Sequence, residues 1–311
     1  MSSGKPQSDA SAPPSLAHGR LCIVLTAVLW STSGAFTKVL TRDTFLGLNE
    51  PPVNEQLIAC LRVLFAGLVL VPTVRRRDVS FRPLMLPMIA CFAVMNVTFI
   101  RAMALGTAAN AILLQYTAPM WMFLASVWWL GERADLRSFA ALAVGVAGIA
   151  VIVLDGYREA QLGIIGLGLG SGVTYAGVVI CLRVLRTASP RWLTVLNHLC
   201  GGLVLVPFVY QQPTPTSGQL TVLFVYGAVQ MALPYWLMAH SLRAVSPQEA
   251  GTITLLEPLL NPLWAYLVSG EEPSRFTLVG GGFILAALAW RYWPFRLRRG
   301  KIGVSAVSDK L

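Results

Sequence analysis

The residue of this chain best suited to chemistry is one acid, Glu257, in a long apolar segment at residues 248–269. Thr254, Asn261 and Trp264 stand at i−3, i+4 and i+7 from it, so a helix would carry all four on one face. A carboxyl group inside lipid is costly unless it faces a cavity or a partner. The spacing therefore indicates either a proton-exchanging group in a cavity or a structural hydrogen bond to a carbonyl freed by Pro258.

Other apolar segments carry similar polar and aromatic positions. Each one alone is typical of helix–helix hydrogen bonding within a membrane. Together they predict a cavity rich in Trp and Tyr with few polar groups, which favours amphipathic or aromatic solutes such as amino acids. Besides Glu257, Thr254, Asn261 and Trp264, the predicted lining is Trp30, Ser33, Thr37, Asn96, Gln115, Tyr175, Tyr226 and Gln230.

Four prolines lie inside these segments, namely Pro119, Pro234, Pro258 and Pro262. Proline removes a backbone hydrogen bond from a helix, which produces either a hinge that exposes carbonyl groups at a site or a static kink. The sequence is compatible with a hinge and with a static kink, because carriers use broken helices in both ways.

The elements that must position these residues are membrane-spanning helices. Charged residues make up 12% of the 311-residue chain, about half the ~25% of soluble domains, and 55% of residues are apolar. The mean hydropathy is +0.64. Since a span needs ~20 mainly apolar residues, the sequence predicts an all-α polytopic membrane protein with ten transmembrane helices. They lie near 21–40, 56–74, 84–101, 109–130, 138–154, 162–183, 192–210, 219–242, 248–269 and 276–293.

The formal net charge of +10 reflects topology. Most of the 24 Lys and Arg residues fall at one set of helix ends, as the positive-inside rule predicts for a chain with both termini cytoplasmic. We therefore expect no nucleic-acid partner. Residues 1–20 are predicted to be a disordered tail and 294–311 a basic tail. Lys38, Arg62 and Arg101 are predicted to snorkel to the outer surface, with anion attraction by Arg62 as the alternative.

The five cysteines show no CxxC or Cys/His spacing, so neither a metal site nor another cofactor is expected. The glycine-rich GLGLGSG stretch at 166–172 lacks the GKS/T ending of a phosphate loop. Its pairs Gly166/Gly170 and Gly168/Gly172 predict close helix packing instead, as do Gly145 and Gly148 with 280–282.

The sequence also repeats itself. The hexapeptide GLVLVP occurs at 67–72 and 202–207, and APMWMFLASVWWLGE at 118–132 aligns with EPLLNPLWAYLVSGE at 257–271. The chain is therefore predicted to consist of two homologous five-helix halves, 21–154 and 162–293. Because five is odd, the second half must enter the membrane inverted. Inverted repeats are the architecture of secondary transporters.

These residues resemble a known family. Trp30, the TAANAILL run at 107–114 leading to Pro119, the LGER stretch at 130–133, and Glu257-Pro258 with Gly270-Glu271 look like the EamA branch of the drug/metabolite transporter superfamily. The resemblance implies a bacterial inner-membrane carrier that exports amino acids or other small metabolites. It also implies a central cavity lined by the first, third, fourth, sixth, eighth and ninth helices. Ala118-Pro119 departs from the Glu-Pro of many relatives, so Glu257 has no counterpart in the first half.

We therefore expect a secondary transporter of a small-molecule substrate that works by alternating access in the lipid bilayer, as a monomer or homodimer. Protons coupled through Glu257, an uncoupled facilitator, and a flippase of a lipid or lipid precursor remain alternatives. An enzyme would need a nucleophile–base pair, a metal cluster or paired acids within the lipid, whereas the sequence offers one central acid.

Overall fold

The computed structural model describes residues 15–128, 136–158, 161–242, 244–245 and 247–292. Every regular element in these ranges is helical. This agrees with the composition, because a segment in lipid must satisfy its backbone groups internally. The LGER stretch at 130–133 and the basic tail at 294–311 lie outside the described residues.

The helices are numbered in chain order. Helix α1 begins at Leu16, where the Ser15 hydroxyl accepts a hydrogen bond from the His18 N–H, so it includes residues 16–20 of the predicted tail. The described residues form α1 (Leu16–Ser31), α2 (Ser33–Thr41), α3 (Glu55–Leu70), α4 (Met85–Leu105), α5 (Ala108–Gln115), α6 (Ala118–Trp128), α7 (Leu136–Arg158), α8 (Leu162–Val184), α9 (Pro190–Val209), α10 (Ser217–Val225), α11 (Leu233–Ser241), α12 (Pro247–Ile253), α13 (Leu256–Ser269) and α14 (Arg275–Tyr292).

Six helical stretches in the described part of the chain are long and apolar enough to cross a membrane. They are Leu16–Thr41, Glu55–Thr73, Met85–Leu105, Leu162–Val184, Pro190–Val209 and Ser217–Ser241. Helices α7 and α14 contribute two shorter apolar stretches, Phe139–Asp155 and Arg275–Trp290. The fourth and ninth predicted spans are not continuous, because each is divided into two shorter helices.

The breaks in the fourth and ninth spans lie at similar places. The fourth span breaks at Tyr116 and Thr117, and the ninth breaks at Thr254 and Leu255. Pro119 and Pro258 follow these breaks and lie in the first turns of α6 and α13. Proline fits there because the first N–H groups of a helix have no intrahelical partner.

The eighth span changes its helical form near its centre. A π-helix, Tyr226–Ala232, separates α10 from α11, and Pro234 lies in the first turn of α11. Wider turns of this kind often mark functional sites. Pro262 differs from the other three prolines because it lies inside a continuous helix, α13.

Pairs of helices pack along each other across the molecule: α1 with α11, α2 with α13, α3 with α9, α4 with α8, and α7 with α14. Glycine allows the last contact, since a Cβ atom on Gly148 would lie 2.5 Å from the Gly280 carbonyl oxygen. Gly168 and Gly172 pack against α5 as predicted. The prediction was wrong for Gly166 and Gly170, because a Cβ atom built on either residue would meet no atom of a described neighbour within 4 Å.

The outer faces of the helices remain apolar. Leu203, Phe208, Leu259 and Leu267 are all exposed. In water such a surface would be unfavourable, whereas in a bilayer it contacts lipid chains. The fold is that of a multi-pass membrane protein with a packed interior.

Candidate functional site

A cavity of about 310 Å³ lies in the interior, where both broken spans and the π-helix meet. Larger depressions of about 480 and 550 Å³ lie beside Arg42 and contain none of the predicted site residues. Seven predicted residues line the interior cavity: Trp30, Gln115, Pro119, Tyr175, Gln230, Thr254 and Glu257.

Glu257 lies in the first turn of α13, on the wall formed by the two helix breaks. The Tyr116 hydroxyl lies 2.7 Å from Glu257 Oε2 and 3.0 Å from the Thr254 carbonyl oxygen. The helix dipole also favours negative charge at this position. No hydrogen bond to Oε1 of Glu257 occurs among the residues that the structure describes.

Arg62 of α3 also lines the cavity and is 3% exposed. Its Nη2 donates to Asn96 Oδ1, and its Nη1 donates to the Tyr226 hydroxyl at 3.4 Å. The guanidinium carbon lies 5.2 Å from the centre of the Tyr226 ring, within cation–π range. The cavity therefore combines one cationic and one acidic side chain.

Gln230 connects the π-helix to the end of α1. Its Nε2 donates to the Trp30 carbonyl oxygen at 3.0 Å, close to the point where α1 gives way to α2. The Trp30 ring meets the Tyr235 ring edge-on, with 5.4 Å between the centroids. These contacts place two aromatic rings and one amide at the cavity wall.

The remaining predicted polar residues form a network between α2, α13 and the π-helix. The Tyr226 hydroxyl lies 3.0 Å from both Thr37 Oγ1 and the Ser33 carbonyl oxygen. Asn261 Nδ2 donates to Ser33 Oγ at 2.8 Å. None of these four side chains lines the cavity, so their observed contacts are between helices.

The other predicted positions are also away from the cavity surface. Trp264 Nε1 donates to Ser31 Oγ at 2.8 Å, which ties α13 to α1. Asn96 is fully buried and reaches the cavity only through Arg62. The prolines outside the cavity lining are Pro234, Pro258 and Pro262.

The prediction that Lys38 and Arg62 snorkel to the surface was wrong. Lys38 is buried, where its Nζ lies 2.5 Å from Glu271 Oε2 and donates to the Gly106 carbonyl oxygen. Arg62 is buried among hydrogen-bond partners. These interior partners offset part of the cost of burying the two cations. Arg101 does approach the surface, with its side chain 36% exposed beside Glu55.

Sequence reasoning missed the cavity residues Phe99, Tyr116 and Tyr235. Tyr116 follows the predicted residue Gln115 directly, but a continuous helix would turn these two side chains about 100° apart. The break after α5 brings both to the cavity. No local signal separates Phe99 and Tyr235 from aromatic residues that only pack.

No group of three His, Cys, Asp or Glu side chains that could hold a metal ion occurs in the described ranges. The arrangement is suited to binding a ligand, because the cavity lining includes an acceptor at Glu257, a donor at Arg62 and several aromatic side chains.

Comparisons with known proteins identify relatives of this chain. A transporter of Archaeoglobus fulgidus described as uncharacterized is 31% identical over 278 residues, which cover 88% of this chain and 97% of the relative. The pseudopaline exporter CntI of Pseudomonas aeruginosa is 26% identical, with 85% and 93% covered. The inner membrane transporter YicL of Salmonella typhimurium, also uncharacterized, is 23% identical, with 81% and 87% covered.

One solved crystal structure shares the fold, with a TM-score of 0.59, 16% sequence identity, and coverage of 89% of this chain and 97% of the other. The model of the EamA-like transporter family matches twice, at residues 18–154 and 162–293. Family and relatives indicate a transporter rather than an enzyme. The chain is therefore a membrane transporter that belongs to the EamA-like transporter family.

Proposed function

We propose that the chain is a secondary transporter that exports small metabolites, such as aromatic or other amino acids, by alternating access around the interior cavity. In this proposal the chain crosses a bacterial inner membrane with ten helices, and both termini lie in the cytoplasm. The observation that carries the proposal is the cavity itself, where an acid, a cation and aromatic rings surround the breaks of two helices.

Two inverted halves are supported by the pattern of contacts. An exchange of the halves maps the first span (α1 and α2) onto the sixth (α8), and the eighth span (with α11) onto the third (α4). The packing of α1 on α11 therefore corresponds to the packing of α8 on α4, and both occur. The contacts of α3 with α9 and of α7 with α14 each map onto themselves. Such exchange is expected of a pseudo-two-fold axis.

The helix breaks support the same relation. Pro119 and Pro258 are equivalent in the internal repeat, and each lies shortly after a break. Broken spans expose backbone carbonyls at the centre of many carriers. These prolines, with Pro234 after the π-helix, are the hinges in our proposal, and Pro262 is a fourth candidate within α13.

Export of a small solute is supported by the cavity volume and by one relative. About 310 Å³ is at the lower end of ligand pockets, which hold ~300–1,000 Å³. The relative in Pseudomonas aeruginosa is named an exporter. A lipid flippase would need a larger site with a lateral opening.

Proton coupling through Glu257 is the finer part of the proposal. An acid in the cavity, hydrogen-bonded to Tyr116, could exchange its proton for a substrate group during the cycle. The alternative is an uncoupled facilitator in which Glu257 only binds substrate or stabilises the helix break.

The test is transport in proteoliposomes, with and without a pH gradient, of a panel of radiolabelled amino acids and small metabolites. We expect Glu257→Gln to abolish gradient-driven accumulation and to retain downhill exchange. Glu55→Gln is the matched control, because Glu55 pairs with Arg101 outside the cavity. Equal transport with and without the gradient, in wild type and Glu257→Gln alike, would refute proton coupling and support the uncoupled facilitator.

A further inference from the structure

We infer that Arg62 is an anion-binding subsite of the cavity, and that the transported molecule carries an anionic group for Arg62 and a cationic group for Glu257. The inference rests on the proposed function and specifies its substrate class. It concerns Arg62, Gln230 and Glu257, which all line the cavity.

The hydrogen bonds of Arg62 use its two terminal nitrogens. Nη2 donates to Asn96, and Nη1 donates to the Tyr226 hydroxyl and to Met231 Sδ at 3.7 Å. These partners hold the guanidinium plane in place across α3, α4 and the π-helix. Nε is buried and has no hydrogen-bond partner among the residues that the structure describes. A purely structural role accounts for the terminal nitrogens but leaves this third donor unsatisfied.

Arg62 also has no ion-pair partner among the described residues. Arginine remains charged at any physiological pH, and an unpaired charge in the interior is strongly unfavourable. The ion pairs between described residues are Arg20–Glu249, Lys38–Glu271 and Arg101–Glu55, and none includes Arg62. Its neighbours at the hydrogen-bonding positions are neutral. A ligand carboxylate would supply both the missing charge and an acceptor for Nε.

The cavity lining also offers acceptors. Gln230 is 3% exposed, and its Oε1 is buried without a hydrogen-bond partner in the described part of the chain. Glu257 makes no ion pair among the described residues, and its one side-chain hydrogen bond there comes from Tyr116. An amine or ammonium group could donate to either side chain. The unsatisfied groups are thus a donor on a cation and acceptors near an acid, which complement a molecule with both charges.

Aromatic side chains line the same cavity as these charged groups. Trp30, Phe99, Tyr175 and Tyr235 line the same cavity, so an apolar portion of the substrate can pack against rings. The Phe99 ring lies 5.9 Å from the Arg62 guanidinium carbon. These surfaces make L-phenylalanine a suitable probe.

The test measures binding to the purified full-length chain in lipid nanodiscs by calorimetry. The probes are L-phenylalanine, phenethylamine, which lacks the carboxylate, and 3-phenylpropionate, which lacks the amine. We expect L-phenylalanine to bind at least tenfold more tightly than either analogue. Arg62→Met should remove this advantage over phenethylamine and leave phenethylamine binding unchanged, whereas Arg62→Lys should retain part of it.

Arg101→Met is the matched control, because Arg101 lies near the surface and outside the cavity. The melting temperature of each variant reports folding. A Met side chain fills much of the same space without a charge, so Arg62→Met should melt within a few degrees of the wild type. A loss of stability together with equal loss of binding for all probes would instead identify Arg62 as a structural residue.

Failure of L-phenylalanine to bind more tightly than both analogues, including failure of all three to bind, would overturn the inference. The transport experiment tests the carrier proposal separately from the subsite. Binding that prefers the doubly charged probe without any transport would refute the carrier proposal and retain the subsite. Transport of molecules with a single charge, unaffected by Arg62→Met, would refute the subsite and retain the carrier proposal.

Discussion

The Tyr116 hydroxyl lies 2.7 Å from Glu257 Oε2, although the two residues are 141 positions apart in the sequence. Each residue stands beside a helix break, Tyr116 at the end of α5 and Glu257 at the start of α13. The contact therefore joins the two broken spans at the cavity wall.

Tyr116→Phe removes this hydrogen bond and retains the ring. Because a hydrogen bond to a charged group contributes about 1.5–3 kcal/mol, we expect gradient-driven accumulation in proteoliposomes to fall roughly tenfold or more. Tyr266→Phe is the control, since Tyr266 is exposed on α13. Unchanged accumulation in Tyr116→Phe would show that the hydroxyl does not assist Glu257.

The buried ion pair between Lys38 and Glu271 should stabilise the fold. Lys38→Met leaves the Glu271 carboxylate without its cation, and loss of one partner of a buried pair costs about 3–5 kcal/mol. We expect a clear fall in melting temperature in detergent, partly reversed by adding Glu271→Gln.

Arg20→Met is the comparison for this pair. The Arg20 side chain is 53% exposed in its ion pair with Glu249, and exposed pairs contribute about 0–1 kcal/mol. Its melting temperature should therefore stay near that of the wild type. Similar melting temperatures for Arg20→Met and Lys38→Met would contradict the structural role of the buried pair.

The contact between α7 and α14 depends on glycine. A methyl group on Gly148 would meet the Gly280 carbonyl oxygen at 2.5 Å, and overpacking typically costs about 1–3 kcal/mol. Gly148→Ala should lower the melting temperature. Gly170→Ala is the matched helical control, because it meets nothing within 4 Å and alanine favours helix by about 1 kcal/mol. Equal effects of the two changes would argue against this close packing.

The charge distribution predicts that the C-terminus is cytoplasmic. A green fluorescent protein fused after Leu311 should fluoresce in bacterial cells, and alkaline phosphatase at the same position should be inactive. An active phosphatase would place the C-terminus outside the cytoplasm and would contradict the proposed topology.

Composition and repeats predicted the helical membrane fold and the family because both signals extend over the whole chain. The same signals did not show which faces pack. Gly166 and Gly168 look alike in the sequence, yet only Gly168 contacts a neighbouring helix, Leu114 of α5 being the contact.

The site was predicted in part for a similar reason. Helical spacing grouped Thr254, Glu257, Asn261 and Trp264, but only Thr254 at the break and Glu257 in the first turn of α13 line the cavity. Asn261 and Trp264 lie farther along α13 and donate to serines of the first span. Arg62 illustrates the second difficulty. A long cation near a helix end can reach either the surface or the interior, and the choice depends on partners such as Asn96 from another helix.

Alternating access is tested most directly by the reactivity of one cysteine in the cavity. Thr254→Cys, in a chain whose five native cysteines are replaced, should react with a membrane-impermeant maleimide from either side of the membrane. A saturating substrate from the transport panel, added on one side, should shift that reactivity between the two sides. Reactivity from one side only, unchanged by every transported substrate, would contradict the account.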